Sequence, residues 1–374
     1  MHPFPAVDPI PLPAPIWLFK LLHIVTLALH FVAVEMLLGG LLLAVLLSVF
    51  RNSPQSLVAA RALARRLTVV MTYVINLGVP PLLFAQVLYG RALYTSSVLI
   101  GAWWIAIILI LMLTYRLLYR FSARLEAGQP AWVTGMCAWL LAGLIARLLS
   151  TNMTLMLRPE VWRDMYSSSA AGIYLPTGDP TLIARWLLMM AGGVFIAGLW
   201  LLYLSGRSTF PAESKRFLAS LGGKVAAVCG VIYLLAGLRA AAWQPEIVKA
   251  GLANGTAEHS FYKFFGMAGY GWLALVVVAI LVAAIAGLAR ISSPIVGWAA
   301  VLLAVLIEIV FTVYRDAVRD LTLLSKGYDV WDRVVVTNWS VVGIFLVLFV
   351  AGLGVIGWLV SVVARAKKET EGVA

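Results

Sequence analysis

Long apolar runs separated by short polar ones set the pattern of this chain. A helix needs about 20 consecutive apolar residues to cross a bilayer, and nine stretches reach or exceed that. They fall at roughly 16–49, 68–98, 101–121, 131–157, 181–204, 217–243, 265–289, 295–317 and 339–364. Inside hydrocarbon the backbone must satisfy its own hydrogen bonds, so runs of this kind predict helices. The expected fold is all-α: a polytopic transmembrane helix bundle of about nine spans, forming a single membrane domain over 1–374. Residues 1–15 carry six prolines and read as an extended extracytoplasmic arm. Residues 16–364 form the bundle and 365–374 a cytoplasmic tail. Spans one, two and four are longer than a bilayer needs, which predicts tilt or extension beyond it. Pro80 and Pro81 predict a kink in span two.

Composition agrees with the pattern. The chain is 63% hydrophobic and 12% charged, with a mean hydropathy of +0.98; soluble domains are about half apolar and a quarter charged. The formal charge of +12 is explained by where the basic residues lie. Arg51, Arg61, Arg65 and Arg66 follow span one; Arg116, Arg120 and Arg124 close span three; Arg207, Lys215 and Arg216 follow span five. Arg290 follows span seven, and Arg365, Lys367 and Lys368 follow span nine. All fall on one side of nine spans, and the positive-inside rule makes that side cytoplasmic, with the N-terminus outside. Loop bias and contact with anionic lipid account for the charge, and no nucleic-acid partner is expected. Cys137 and Cys229 lie in apolar runs, so no disulfide framework is indicated. The segments on the other side, 158–180, 244–264 and 318–338, carry both signs together with Trp and Tyr. They read as an interfacial aromatic belt or as a docking platform for an extracytoplasmic partner.

Ionisable side chains within the spans are the candidate chemistry, because such groups face a partner or a cofactor rather than lipid. His23 and His30 stand seven residues apart in span one and share a face. His30, near mid-span, reads either as an imidazole hydrogen-bonded to a neighbouring helix or as an axial haem ligand. His23 reads as a second ligand, a proton relay or a propionate contact. Glu35 points to a different face of span one and suits a proton path or a helix–helix hydrogen bond. Glu308 is the other deep carboxylate, a weak metal ligand or a proton carrier. Arg147 is a natural counter-charge, and Gln86 is a further polar interior candidate on the proton path. Arg315, Asp316, Arg319 and Asp320 alternate in sign and read first as a solvated helix end with local ion pairs. His2 and His259 are the remaining histidines, and both lie outside the spans. Two histidines in the membrane are too few for a pair of bis-histidine haems. The chain has no CxxCH, P-loop, HExxH or dinucleotide fingerprint.

Several of these residues stand in a recognisable setting. His30-Phe31, then Val34 and Leu38-Gly39, resemble the first helix of subunit I of the cytochrome bd-type quinol oxidases. Gly78-Val79 followed by Gln86, Tyr89 and Gly90 resembles that family's second helix. Asn152, Met153 and Pro159 resemble the end of its fourth helix, and Ala191-Gly192-Gly193 the middle of its fifth. The resemblance implies a membrane subunit of a respiratory electron-transfer complex in a bacterial inner membrane. It implies high-spin haem, of b or d type, on His30 and Glu308, with Arg147 or Arg319 neutralising propionates. Quinol or a periplasmic cytochrome c would exchange electrons with it, and a further membrane subunit would accompany it. The chain also departs from the family. Leu188 stands where the low-spin haem's histidine would be, although Met267 matches its methionine partner. Gln86 replaces an acidic residue, the loop 244–264 is short, and the Gly-Arg-x-Pro-Trp motif is missing. Two other expectations follow from the departures and the buried charges: a haem-free membrane anchor that docks a partner, and a proton-coupled transporter using His23, His30, Glu35 and Glu308.

Overall fold

The computed structural model describes residues 4–5, 10–50, 53–176 and 182–371. His2, Arg51 and the side chains of Arg365, Lys367 and Lys368, part of the pattern above, lie outside the described residues. The helices in chain order are α1 (Ile16–Val49), α2 (Pro54–Leu99), α3 (Gly101–Glu126), α4 (Trp132–Leu155), α5 (Trp162–Ser168), α6 (Leu182–Ser205), α7 (Ala212–Ala242), α8 (Glu246–Asn254), α9 (Tyr262–Leu288), α10 (Pro294–Leu324) and α11 (Trp339–Glu371). Eight of them, α1–α4, α6, α7, α9 and α10, are long and apolar enough to cross a membrane among the described residues. Helix α11 covers the ninth expected span. This is an all-α membrane bundle. Exposed Ile105, Ile108, Leu109 and Met112 on α3 form the apolar outer wall that lipid requires and water would penalise.

Two helices begin or end beyond their apolar run. Ser53 accepts a hydrogen bond from the Ser56 amide at 3.2 Å, with Pro54 in the first turn, so α2 starts well before residue 68. The arginines expected in a loop therefore sit on a helix: Arg61 donates to the Leu125 carbonyl (3.0 Å) and Arg65 pairs with Glu126 (2.8 Å). Ser293 and Pro294 start α10 in the same way, and α10 continues past residue 317 to Leu324. The segments 244–264 and 158–180, expected as loops, contain α8, α5 and a 3-10 turn at Pro159–Val161. In α2 the departure from helical dihedrals falls at Tyr89 (φ −122°, ψ 15°) and not at Pro80 and Pro81.

The chain divides into two compact units. The larger comprises residues 1–6 and 21–330. One apolar cluster in it gathers Leu41, Leu63, Leu67, Phe121 and Leu201; another gathers Leu188, Phe195, Tyr233, Trp272 and Ile307. Its helices approach closely where side chains are absent: a Cβ on Gly39 of α1 would meet the Gly193 backbone of α6, and one on Gly223 of α7 the Gly287 backbone of α9. Small residues at such crossings let backbones pack where no hydrophobic effect drives association. The smaller unit comprises 7–20 and 331–374. There the amides of Val336 and Asn338 donate to the carbonyls of Leu12 and Pro13, each at 3.0 Å, and Lys20 lies over the Trp331 ring at 5.9 Å.

Candidate functional site

One face of α10 organises the polar interior. Glu308, Thr312, Asp316, Arg319 and Asp320 recur at steps of four, four, three and one, and all are buried. The spacing keeps them on one stripe, about 18 Å long at ~1.5 Å per residue. The solvated helix end expected for Asp316, Arg319 and Asp320 is therefore not observed. The helix continues beyond them and the bundle closes over them, because α2, α1 and α9 supply their partners.

The C-terminal part of the stripe is a closed network. The Tyr89 hydroxyl lies 2.8 Å from Asp316 Oδ1 and 3.0 Å from Asp320 Oδ1, and the Tyr262 hydroxyl donates to Asp320 Oδ2 at 3.3 Å. Arg319 Nη1 reaches Asp316 at 3.4 Å and His23 Nε2 at 2.9 Å, while its guanidinium stacks over the Tyr89 ring at 4.9 Å. His23 Nδ1 lies 3.0 Å from the Pro81 carbonyl. A carbonyl only accepts, so Nδ1 carries the proton and Nε2 accepts from Arg319. Both ring nitrogens of His23 are thus in use, and it does not fit the ligand role. Arg319 Nη1 is likewise engaged. The anchoring of Tyr89 by two carboxylates of α10 also explains why the backbone break of α2 falls there: a tertiary contact has outweighed the local effect of the prolines.

The N-terminal part of the stripe is a carboxyl pair. Glu308 and Glu35 lie close enough to act on each other, both beside Tyr233. The Tyr233 hydroxyl donates to Glu308 Oε1 at 3.4 Å and accepts from the Trp272 indole at 3.3 Å. Tyr233 packs against Phe195, Trp272 and Phe311 with ring centroids 5.6, 5.3 and 6.4 Å away. Gly192 makes the room: a Cβ there would sit 2.6 Å from Glu35 Oε1. Arg315 acts electrostatically on Glu308 and lies over the Phe31 ring at 4.7 Å. Glu35 Oε2 and Thr312 Oγ1 are buried without a hydrogen-bond partner.

His30 stands apart from both clusters. Its ring lies on Gly78, where a Cβ would come within 2.9 Å of Cε1, and its Nδ1 is buried without a partner. The Val74 backbone is near enough to act on the ring, but it makes no hydrogen bond of ordinary geometry with Nδ1. Arg147 donates to Thr151 Oγ1 at 2.9 Å. Gln86 is half-buried and joins neither cluster. Leu188 is packed in an apolar cluster. Tyr89, Tyr233, Tyr262, Trp272 and Gly192 were not singled out as parts of a polar site from the sequence. The available signal was a phenol in mid-span, at Tyr233, flanked by apolar residues.

As candidate haem ligands, His30 and Glu308 differ. His30 offers a buried nitrogen with no partner beside a residue that lacks a side chain, and it fits an axial ligand. Glu308 accepts from Tyr233, which is itself packed among aromatic rings, so its carboxyl is already engaged and fits a haem less well than His30 does.

At the outer ends, Lys326 pairs with Glu160 at 2.8 Å and His259 with Asp329 at 2.7 Å. Partial burial works against the charged form of Glu160. The hydrogen bond from Lys326 and the contact with Arg158 outweigh it and hold the carboxyl below its ordinary range.

The fold and this interior define a polytopic all-α membrane protein of the cytochrome bd architecture. A chain of the bd oxidase from Geobacillus thermodenitrificans superposes with a TM-score of 0.60 at 13% identity, covering 91% of this chain and 96% of that one. No protein-family profile matches the sequence, and no curated protein matches it.

Proposed function

We propose that this chain is a membrane subunit of a respiratory electron-transfer complex in a bacterial inner membrane, holding one high-spin haem of b or d type on His30. The observation that carries the reading is the buried, unpartnered Nδ1 of His30 against the bare backbone of Gly78, in a bundle of bd architecture. A haem held there supplies one-electron chemistry, tuned by its axial ligand and by burial. The chain's own residues do the rest. Gly78 leaves space for the imidazole. Arg315, over the ring next to His30, offers a guanidinium to propionates, as Arg147 does from α4. The apolar helices exclude water. Quinol, or a periplasmic cytochrome c docked on the outer segments, exchanges electrons with the site, and a further membrane subunit accompanies the chain.

The test is a reduced-minus-oxidised visible spectrum of the purified protein, with haem counted by pyridine haemochrome, for the wild type and His30→Ala. The expected result is one haem per chain in the wild type and its loss in the variant, with the elution profile unchanged. An unchanged haem ratio removes His30 as ligand. Absence of haem in protein purified from its native membrane favours the second reading, a haem-free docking subunit, which Leu188 supports because an apolar cluster fills the place of the family's low-spin ligand.

A further inference from the structure

We infer that Glu35 and Glu308 form a carboxyl pair that holds a single proton inside the bundle, and that this pairing takes the place of haem coordination by Glu308. The inference goes beyond the haem reading and does not depend on it. Two carboxylates can hydrogen-bond to each other only if one of them is protonated. Glu308 accepts a hydrogen bond from Tyr233, as an ionised carboxylate does. Glu35 leaves its Oε2 buried with no partner, which a neutral acid tolerates far better than an anion does. The proton therefore resides on Glu35.

Arg315 is the guanidinium that acts on Glu308, so an anion there has a counter-charge in a medium where an uncompensated one is costly. The groups facing the pair come from every neighbouring helix: Tyr233 from α7, Arg315 from α10 itself, and Trp272 of α9 through Tyr233. Helix α6 presents Gly192, which carries no group and leaves the volume that the carboxyl of Glu35 fills. The site's ligand is thus a proton, held between the two carboxyls.

Infrared spectroscopy of the whole protein in lipid tests this directly, because a protonated carboxyl has a C=O stretching band that shifts in D2O. The expected result is such a band in the wild type, its loss in Glu35→Gln, its loss or displacement in Glu308→Gln, and a shift in frequency in Tyr233→Phe. Glu308→Gln should also keep the wild-type haem-to-protein ratio. A wild type with no such band overturns the inference, as does a band unaltered in both glutamine variants. Loss of haem in Glu308→Gln to the extent seen in His30→Ala overturns the replacement of coordination. The band is read without haem, so a haem-free protein would refute the His30 reading and leave this test intact. Should a glutamine variant fail to yield folded protein, the wild-type band and its response to Tyr233→Phe decide the matter.

Discussion

Gly192→Ala tests the packing around the carboxyl pair with one methyl group. The added Cβ would lie 2.6 Å from Glu35 Oε1 and 2.9 Å from Tyr233 Cε2. Neither neighbour can swing away: Glu35 is 6% exposed and Tyr233 1%. Tyr233 is also held by ring contacts and by bonds to Trp272 and Glu308. Overpacking of this kind costs about 1–3 kcal/mol, and the upper half of that range applies because two fixed neighbours must move. Replacing Gly by Ala in a helix returns roughly 0.5–1 kcal/mol. The net is a loss of about 1–2.5 kcal/mol, which in a chain of 374 residues lowers the unfolding midpoint by about 1–3 °C. The assay is the apparent midpoint in one detergent at one scan rate, since membrane proteins unfold irreversibly and only matched conditions compare. The internal control is Gly143→Ala, where the nearest heavy atom to the new Cβ is Trp186 Cη2 at 4.0 Å; it should leave the midpoint unchanged or raise it slightly. Equal midpoints for the two variants would refute the close packing of Gly192 against the pair.

Tyr89→Phe removes the hydroxyl that ties α2 to Asp316 and Asp320; the expected loss is about 0.6–1.7 kcal/mol, in line with hydrogen bonds between membrane helices, read as a lower midpoint in the same assay. Glu160 gives a pH dependence at the outer surface. Its carboxyl is held below the ordinary 4.5 in the folded chain, so its contribution is present above that value and is lost as pH falls through the lower, folded value. Half-exposure limits the effect to under about 1 kcal/mol, and hydrogen exchange over residues 158–168 should rise on acidification in the wild type and be flat in Glu160→Gln. Neutralising Arg163, Lys249 and Arg333 together should flatten the salt dependence of reduction by an acidic cytochrome c; an unchanged slope sinks the docking of such a donor on the outer segments.

The bundle was legible in the sequence because its signal is redundant: a long apolar run survives an error of several residues at either end. Where boundaries moved, one or two residues moved them. Ser53-Pro54 and Ser293-Pro294 start helices outside the apolar run, which a hydropathy window does not register. The kink shows the opposite limitation. Pro80 and Pro81 are a strong local signal, yet the backbone departs at Tyr89, where contacts with residues more than two hundred positions away decide the geometry.

The candidate site was legible as a set of residues but not as a set of pairs. Asp316, Arg319 and Asp320 near the end of an apolar run look the same in sequence whether water or protein lies beyond it, and solvation is the commoner outcome for charges at a helix end. Their period could have decided the matter. Together with Glu308 and Thr312 they fall on one face of α10, and a solvated end would scatter its charges around the helix. The same reasoning bears on Glu308. The resemblance implied a haem ligand there, but a ligand is defined by the space on its open side, and space is set by residues distant in sequence. Here Tyr233 from α7 engages the Glu308 carboxyl, and Glu35 from α1 lies beside them in the room left by Gly192 of α6. At His30 the ring packs against Gly78, which has no side chain to bond its Nδ1. What a carboxyl in a helix bundle does is thus set by its neighbours, here a phenol and a second carboxyl on adjoining helices.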